Sequence, residues 1–367
     1  NQLWNLWGGV ILMIRSVSVF QPVASSTGTT PTKRLQSITV AKEAGFPFVR
    51  FNLELRYLAP SVTGRVYDWL DQQITWIKAN DQGILLGLTY GPQGGDWVSS
   101  DEKFINASDH TNAKNAILDG LSRIFTYHNF DKRKVYFQLW NEADNTNFGA
   151  FTNGVIASGL TIYMTMVASA VKHAYPEIPL IAPSLSQYSS GFNWITATTN
   201  ITSAQTYLSY CDYLAFHFYP NFSTPQSFLG EGIVRQTVVE GVKNIRTRVA
   251  SAYPAIANKP WFVTECGFQF ENAGLNGSYW TYGNEEERSR YTLAMINTLG
   301  SFPFIKGINV YNAMNSSSAY DVRTDTNHFG LCNSNGRPYS LFRDCALMNG
   351  VIPNYNNLPG SGGLHYV

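Results

Sequence analysis

The sequence predicts an α/β protein, a single (β/α)8 barrel of the TIM type. Two observations carry this. Short apolar runs alternate with amphipathic stretches along the whole chain of 367 residues, the rhythm of strand and helix in a parallel barrel. Two of the apolar runs also stop abruptly at a glutamate, Glu142 and Glu265, as when a barrel strand delivers a side chain to the open mouth. A doubly wound open sheet would need a glycine-rich turn after its first strand, and here Gly8-Gly9 comes before it. The barrel is assigned to residues 1–353 and a Gly- and Asn-rich tail to 354–367.

Gly9 to Val17 reads as strand one: apolar, ended by polar residues, and too short to span a membrane. Pro31 to Ala44 reads as a helix with its proline at the start, where a missing N–H costs nothing, and Gly45 ends it. Strand two is 46–53. A helix over 67–80 places Leu70, Ile74 and Ile77 on one face. Strand three is 84–90, followed by a Gly- and Asp-containing loop (91–109) long enough to reach a substrate. A helix over 112–128 leads to strand four at 134–140. The second half repeats the pattern: helix 160–174, strand 180–183, a Thr-rich helix 192–208, strand 213–218, helix 233–253, strand 261–264. Helix 285–299 opens on an acidic run that suits the positive helix end. Strand 305–311 and helix 338–348 close the series.

Composition excludes some functions. Lys plus Arg is 26 and Asp plus Glu 25, a net charge of +1, and no basic stripe of the kind that binds nucleic acid is visible. The 6 His are scattered without metal-ligand spacing and no CxxC occurs, so no metal is expected. No phosphate-binding glycine loop appears, and no cofactor is expected. Of the 4 Cys, Cys332 and Cys345 are close enough in sequence to bridge in an exported protein, while Cys266 should point away from Glu265 into packing. Asn1 in place of an initiator Met leaves room for a processed upstream segment. Sequons at Asn106, Asn200, Asn221, Asn276 and Asn315 give weak support to an extracellular or secreted location. Nothing in the sequence sets the oligomeric state.

The chemistry concentrates at strand ends. In Gln138-Leu-Trp-Asn-Glu142 and Val263-Thr-Glu265, two carboxylates come from strands on opposite sides of a barrel, the pair that glycoside hydrolysis requires. Glu142 is read as general acid and then base, and must hold its proton to donate to a leaving oxygen. Glu265 is read as the nucleophile, kept ionised by Arg50 and Tyr219. Arg50 is a charge inside an otherwise apolar strand and so needs a partner. His217 and Tyr219 alternate on strand six and face the same way. Asn52 and Glu54 follow Arg50 on one face, Glu54 being the rival acid.

This pattern resembles the clan A retaining glycoside hydrolases, which hold many cellulases, mannanases, xylanases and β-glycosidases. The resemblance spans nearly the whole chain. It assigns Asn141-Glu142 to the acid/base motif, Asn141 to the sugar 2-hydroxyl, Glu265 to the nucleophile and Arg50 to the strand-two arginine. His217-x-Tyr219 is typical of family five, and family thirty-nine shares the clan pattern. The chain departs from family five at strand eight, where Tyr311 or Asn312 stands in place of a Trp, and at strand three, where Tyr90 stands in place of a His. The expected partner is a β-linked polysaccharide or oligosaccharide, with no membrane insertion. Trp97, Tyr188, Trp194, Phe268, Trp280 and Tyr282 in loops are candidates for stacking on sugars. Their spread points to an endo-acting β-glycanase, a β-glucanase before a mannanase or xylanase. A pocket-type exo-β-glycosidase and an inactive, carbohydrate-binding barrel are the alternatives.

Overall fold

A computed structural model describes residues 13–20, 30–58, 63–89, 110–143, 151–152, 155–156, 158–184, 207–219, 230–270, 281–282, 285–315 and 330–359. Its main strands are β1 (Ile14–Ser18), β2 (Phe48–Glu54), β3 (Gly83–Thr89), β4 (Val135–Gln138), β5 (Leu180–Ile181), β6 (Leu214–Phe218), β7 (Trp261–Cys266) and β8 (Ile305–Val310). All pair in parallel, in the order β5-β4-β3-β2-β1-β8-β7-β6. The two ends of that order meet. Ile181 bridges Tyr213 in parallel, and the Ala182 N–H donates to the Tyr213 carbonyl at 2.8 Å. The sheet is therefore the (β/α)8 barrel that the periodicity predicts.

The principal helices are α1 (Pro31–Glu43), α2 (Thr63–Ala79), α3 (His110–Ser122), α4 (Ser158–Ala174), α5 (Glu231–Ala252), α6 (Glu285–Gly300) and α7 (Ser340–Met348). Helix α1 starts where Thr30 Oγ1 accepts the Lys33 N–H at 3.2 Å, with Pro31 in the first turn. It stops at Gly45, whose φ of 72° is left-handed and whose missing Cβ would lie 2.8 Å from Val351. The helix expected over 112–128 changes at Ser122 into a wider π-helical turn, Arg123–Tyr127. There Asp71 draws in Arg123 and, at 2.7 Å, His128 Nε2. The Thr-rich helix at 192–208 lies outside the described residues except for 207–208, which are helical.

The barrel interior is layered, because inward positions recur every second residue. The floor is apolar: Ile14, Leu85, Tyr136, Ile181, Tyr213, Ala215 and Phe262 pack together, with the Phe262 ring 5.4 Å from Tyr136 and 5.0 Å from Tyr213. Above it the next inward residues are polar. Ser16 Oγ donates to Asn309 Oδ1 at 2.9 Å, and Asn309 Nδ2 donates to Ser18 Oγ at 2.8 Å. Gly87 has no room for a side chain, since a Cβ there would sit 2.2 Å from Asn52 Oδ1. The outward faces of the strands (Val49, Phe51, Ile84, Leu86, Val135, Phe137) join the helices in one continuous core. Each such side chain contributes about 1.5–3 kcal/mol of burial.

Three possibilities open from sequence are narrowed outside the site. Cys332 and Cys345 are separate buried thiols, as are Cys211 and Cys266. Burial pushes the Cys211 and Cys345 thiols up to about 12. Asn315 is buried, with Oδ1 accepting from the Gly330 N–H and Nδ2 donating to Tyr339, so the folded chain cannot present that sequon to a glycan transferase. Phe268 is fully buried in the core and has no free face for a sugar. None of the described helices is long and apolar enough to cross a membrane.

Candidate active site

The polar interior layer opens at the carboxyl ends of the strands, and there the two glutamates meet. One donor atom each from Glu142, His217 and Glu265 lies within 4.8 Å of the others. His217 Nδ1 is 2.9 Å from Glu142 Oε1 and 3.4 Å from Glu265 Oε2. The carboxyls of β4 and β7 thus share one imidazole nitrogen.

Regular strands would not have brought them together. Along β7, Phe262 faces inward, so strict alternation would turn Glu265 outward. The pairing on both sides of β7 shows why it does not. Phe216 is opposite Val263 while the next residue, His217, is opposite Glu265; Ile308 is opposite Val263 and Val310 is opposite Cys266. Thr264 is therefore an extra residue, a bulge that returns Glu265 to the interior. At β4 the device differs. Asn141 and Glu142 are consecutive, yet Asn141 reaches Arg50 and Glu142 reaches His217. Glu142 has φ 48°, and this left-handed residue breaks the alternation at a cost of about 1–2 kcal/mol.

Glu265 is 8% exposed and fully engaged. Arg50 Nη1 donates to Oε1 at 2.6 Å and the Tyr219 hydroxyl donates to Oε2 at 2.8 Å. Burial alone would raise its pKa. The charges of His217 and Arg50 and the hydrogen bonds from Tyr219 and Arg50 outweigh that, and hold the carboxyl below the usual range. The Tyr219 hydroxyl is pushed well above its ordinary value by burial and by Glu265, so it remains a donor. Tyr311, just past β8, is raised in the same way by burial and by the carboxylates. The Tyr311-Asn312 peptide is cis. Asn312 is 8% exposed, and its Oδ1 has no partner among the described residues.

Arg50 is 2% exposed and divides its donors. Nη2 donates to Asn141 Oδ1 at 2.6 Å and to Gln138 Oε1 at 3.2 Å. The Asn141 amide oxygen is thereby committed to Arg50. Gln138 is in turn fixed by donating Nε2 to the Trp140 carbonyl at 2.9 Å. Both neighbours of Nη2 are neutral, so the Arg50 charge is left for Glu265. Sequence reasoning passed over Gln138, although it is a polar residue inside an apolar strand, the same signal that marked Arg50. Ser184 also went unremarked, and a lone serine after Pro183 carries no signal.

The other candidates divide plainly. Arg50, Asn141, Glu142, His217, Tyr219, Glu265, Tyr311 and Asn312 stand at the carboxyl ends of their strands or in the layer just beneath. Tyr90, Trp97, Tyr188, Trp194 and Trp280 lie outside the described residues, as do the side chains of Glu54 and Tyr282. Glu142, His217 and Glu265 are also the type of set that can ligate a cation. Both Glu265 oxygens are already taken by Arg50 and Tyr219, however, and the guanidinium would repel a dication.

No protein-family model matches the sequence, and no curated protein matches it. Solved structures do. A GH5_18 protein from Bifidobacterium longum subsp. infantis aligns over 93% of this chain and 79% of its own, at 11% identity and a TM-score of 0.66. A fungal β-1,4-galactanase aligns over 91% of this chain and 99% of its own, at 14% identity and a TM-score of 0.59. A β-glucuronidase from an uncultured Clostridium sp. aligns over 92% of this chain at 12% identity and a TM-score of 0.58. The chain spans about half the length of that β-glucuronidase, 50% of it. At these identities the likeness is one of fold, a (β/α)8 barrel.

Proposed function

We propose that this protein is a retaining glycoside hydrolase acting on β-linked glycans, with Glu142 as acid/base and Glu265 as nucleophile. One observation carries the reading: one carboxyl oxygen of Glu142, just past β4, and one of Glu265, on β7, lie within 4.8 Å of each other at the barrel mouth. Double displacement works with carboxyl groups about 5–5.5 Å apart, whereas inversion needs about 6.5–9.5 Å to fit a water beneath the sugar. The environments differ as the roles require. Glu265 is held ionised by a cation and a phenol and is poised to attack the anomeric carbon. Glu142 is bound by the imidazole and is the better placed to hand a proton to the leaving oxygen, then to take one from water. Asn141, its oxygen held by Arg50, would use its amide N–H groups to bind the sugar hydroxyl beside the nucleophile. The solved structures of similar fold include a galactanase and a β-glucuronidase, which agrees with a glycosidase and leaves the sugar open.

The experiment is a panel of β-glucans, mannans, xylans, galactans and aryl β-glycosides, with product size followed over time. Endo action, our reading from the sequence, gives oligosaccharides from one polymer; release of monosaccharide alone would make it an exo-glycosidase. Glu142→Ala provides the check on roles. It should lower kcat/KM on a phenyl β-glycoside by about 10²–10⁴-fold and spare a 2,4-dinitrophenyl β-glycoside, whose leaving group needs no proton. Equal losses on both would assign the acid elsewhere.

A further inference from the structure

We propose that Ser184 is a positioning residue for the acid/base. The inference rests on the glycosidase reading and adds to it the feature that aims Glu142. The left-handed backbone at Glu142, φ 48°, is one that side-chain-bearing residues rarely adopt. Something must hold it, and the contacts of Ser184 do. Ser184 is fully buried just past β5. Its Oγ accepts the Glu142 N–H at 3.0 Å. Its own N–H donates to the Trp140 carbonyl at 3.0 Å, and its carbonyl accepts the Ala143 N–H at 3.3 Å.

One residue just past β5 thus grips the chain before, at and after Glu142. The two backbone bonds would survive any substitution that keeps the fold. The Oγ bond is the one that depends on the side chain, and it is made to the very residue whose conformation is strained. Without it the part-buried Glu142 N–H would lose the acceptor that Ser184 supplies, a loss the backbone relieves by turning away. The carboxyl would then leave His217 Nδ1, now 2.9 Å away. Glu265 is anchored separately by Arg50 and Tyr219 and would stay in place.

Loss of the hydroxyl should therefore damage proton transfer and spare nucleophilic attack. A mispositioning of about 1 Å in a catalytic group costs on the order of 10²-fold. The test compares wild type, Ser184→Ala and Ser184→Thr on phenyl and 2,4-dinitrophenyl β-glycosides of the sugar that wild type cleaves. Ser184→Ala is expected to lose about 10- to 100-fold in kcat/KM on the phenyl glycoside, through kcat rather than KM, and to stay within about twofold on the dinitrophenyl glycoside. Ser184→Thr, which keeps a hydroxyl, should recover most of the loss. Equal losses on both glycosides, or no loss on either, overturn the proposal. If Ser184→Ala does not fold, Ser184→Cys keeps the volume with a much weaker acceptor and must show the same split; its absence is equally decisive. Wild type silent on every glycoside would overturn the glycosidase reading first, and this proposal with it, whereas active wild type with an unsplit variant overturns the role of Ser184 alone.

Discussion

Replacing Glu265 by Ala should abolish turnover, by about 10⁴-fold or more, while the protein stays folded. Among the described residues the only other carboxyl in this cluster is Glu142, and it is committed to His217. The fold should survive at reduced stability: the buried Arg50 charge loses its partner, a change that costs about 3–5 kcal/mol, but the guanidinium keeps neutral acceptors. A carboxylate at 8% exposure is tolerated through Arg50 and Tyr219; without it, Arg50 keeps Asn141 and Gln138 as acceptors. Kinetics on the cleaved substrate, with circular dichroism of the variant, provides the check. Substantial residual activity would remove Glu265 from the mechanism.

Replacing Arg50 by Met should have the second largest effect, on stability, activity and pH dependence together. Removing one partner of a buried ion pair costs about 3–5 kcal/mol, because the other charge is left uncompensated. Glu265 can escape part of that cost by binding a proton, and the sign of the pH effect follows. In the native protein its pKa is held below the usual carboxylate range, so it contributes stability above its unfolded-state value that is lost as pH falls through the lower folded value. In Arg50→Met, burial is no longer opposed by the guanidinium and the folded pKa moves up. The acid limb of activity should shift to higher pH, whereas the acid-side loss of stability should shrink, because protonation of Glu265 then relieves its uncompensated charge. Asn141 and Gln138 would also lose their shared donor, so kcat should fall even at the optimum. Denaturation midpoints and kcat/KM across pH measure both. An unmoved acid limb would mean that Arg50 does not set the ionisation of Glu265.

These effects trace to features that the sequence reveals unevenly. The barrel was legible because apolar and amphipathic runs of the right lengths alternate along the chain, and strands at 135–138, 214–218 and 305–310 fall where those runs predict. Arg50, His217 and Tyr219 were legible for a related reason: a polar side chain at an inward position of an apolar strand must have a partner. The aim of the glutamates was not. Trp261-Phe-Val-Thr-Glu-Cys266 contains no glycine or proline to mark a bulge at Thr264, and Glu142 is a poor candidate by type for a left-handed residue. Each break is imposed by neighbouring strands, through the register of β6 and β8 in one case and Ser184 in the other. Such tertiary constraints leave no local pattern. The bridge that Cys332 and Cys345 could have formed is not made for a similar reason, since closeness in sequence says nothing about which way two side chains point once each is packed in the core.

The central claim is that Glu142 and Glu265 work by double displacement, and the configuration of the first product tests it most directly. Hydrolysis of a cleaved β-glycoside would be followed by proton NMR of the anomeric region, before mutarotation mixes the anomers. The geometry of the site predicts the β-anomer first, with the α-anomer growing in later. The α-anomer appearing first would mean that water attacks directly, and would contradict Glu265 as a nucleophile.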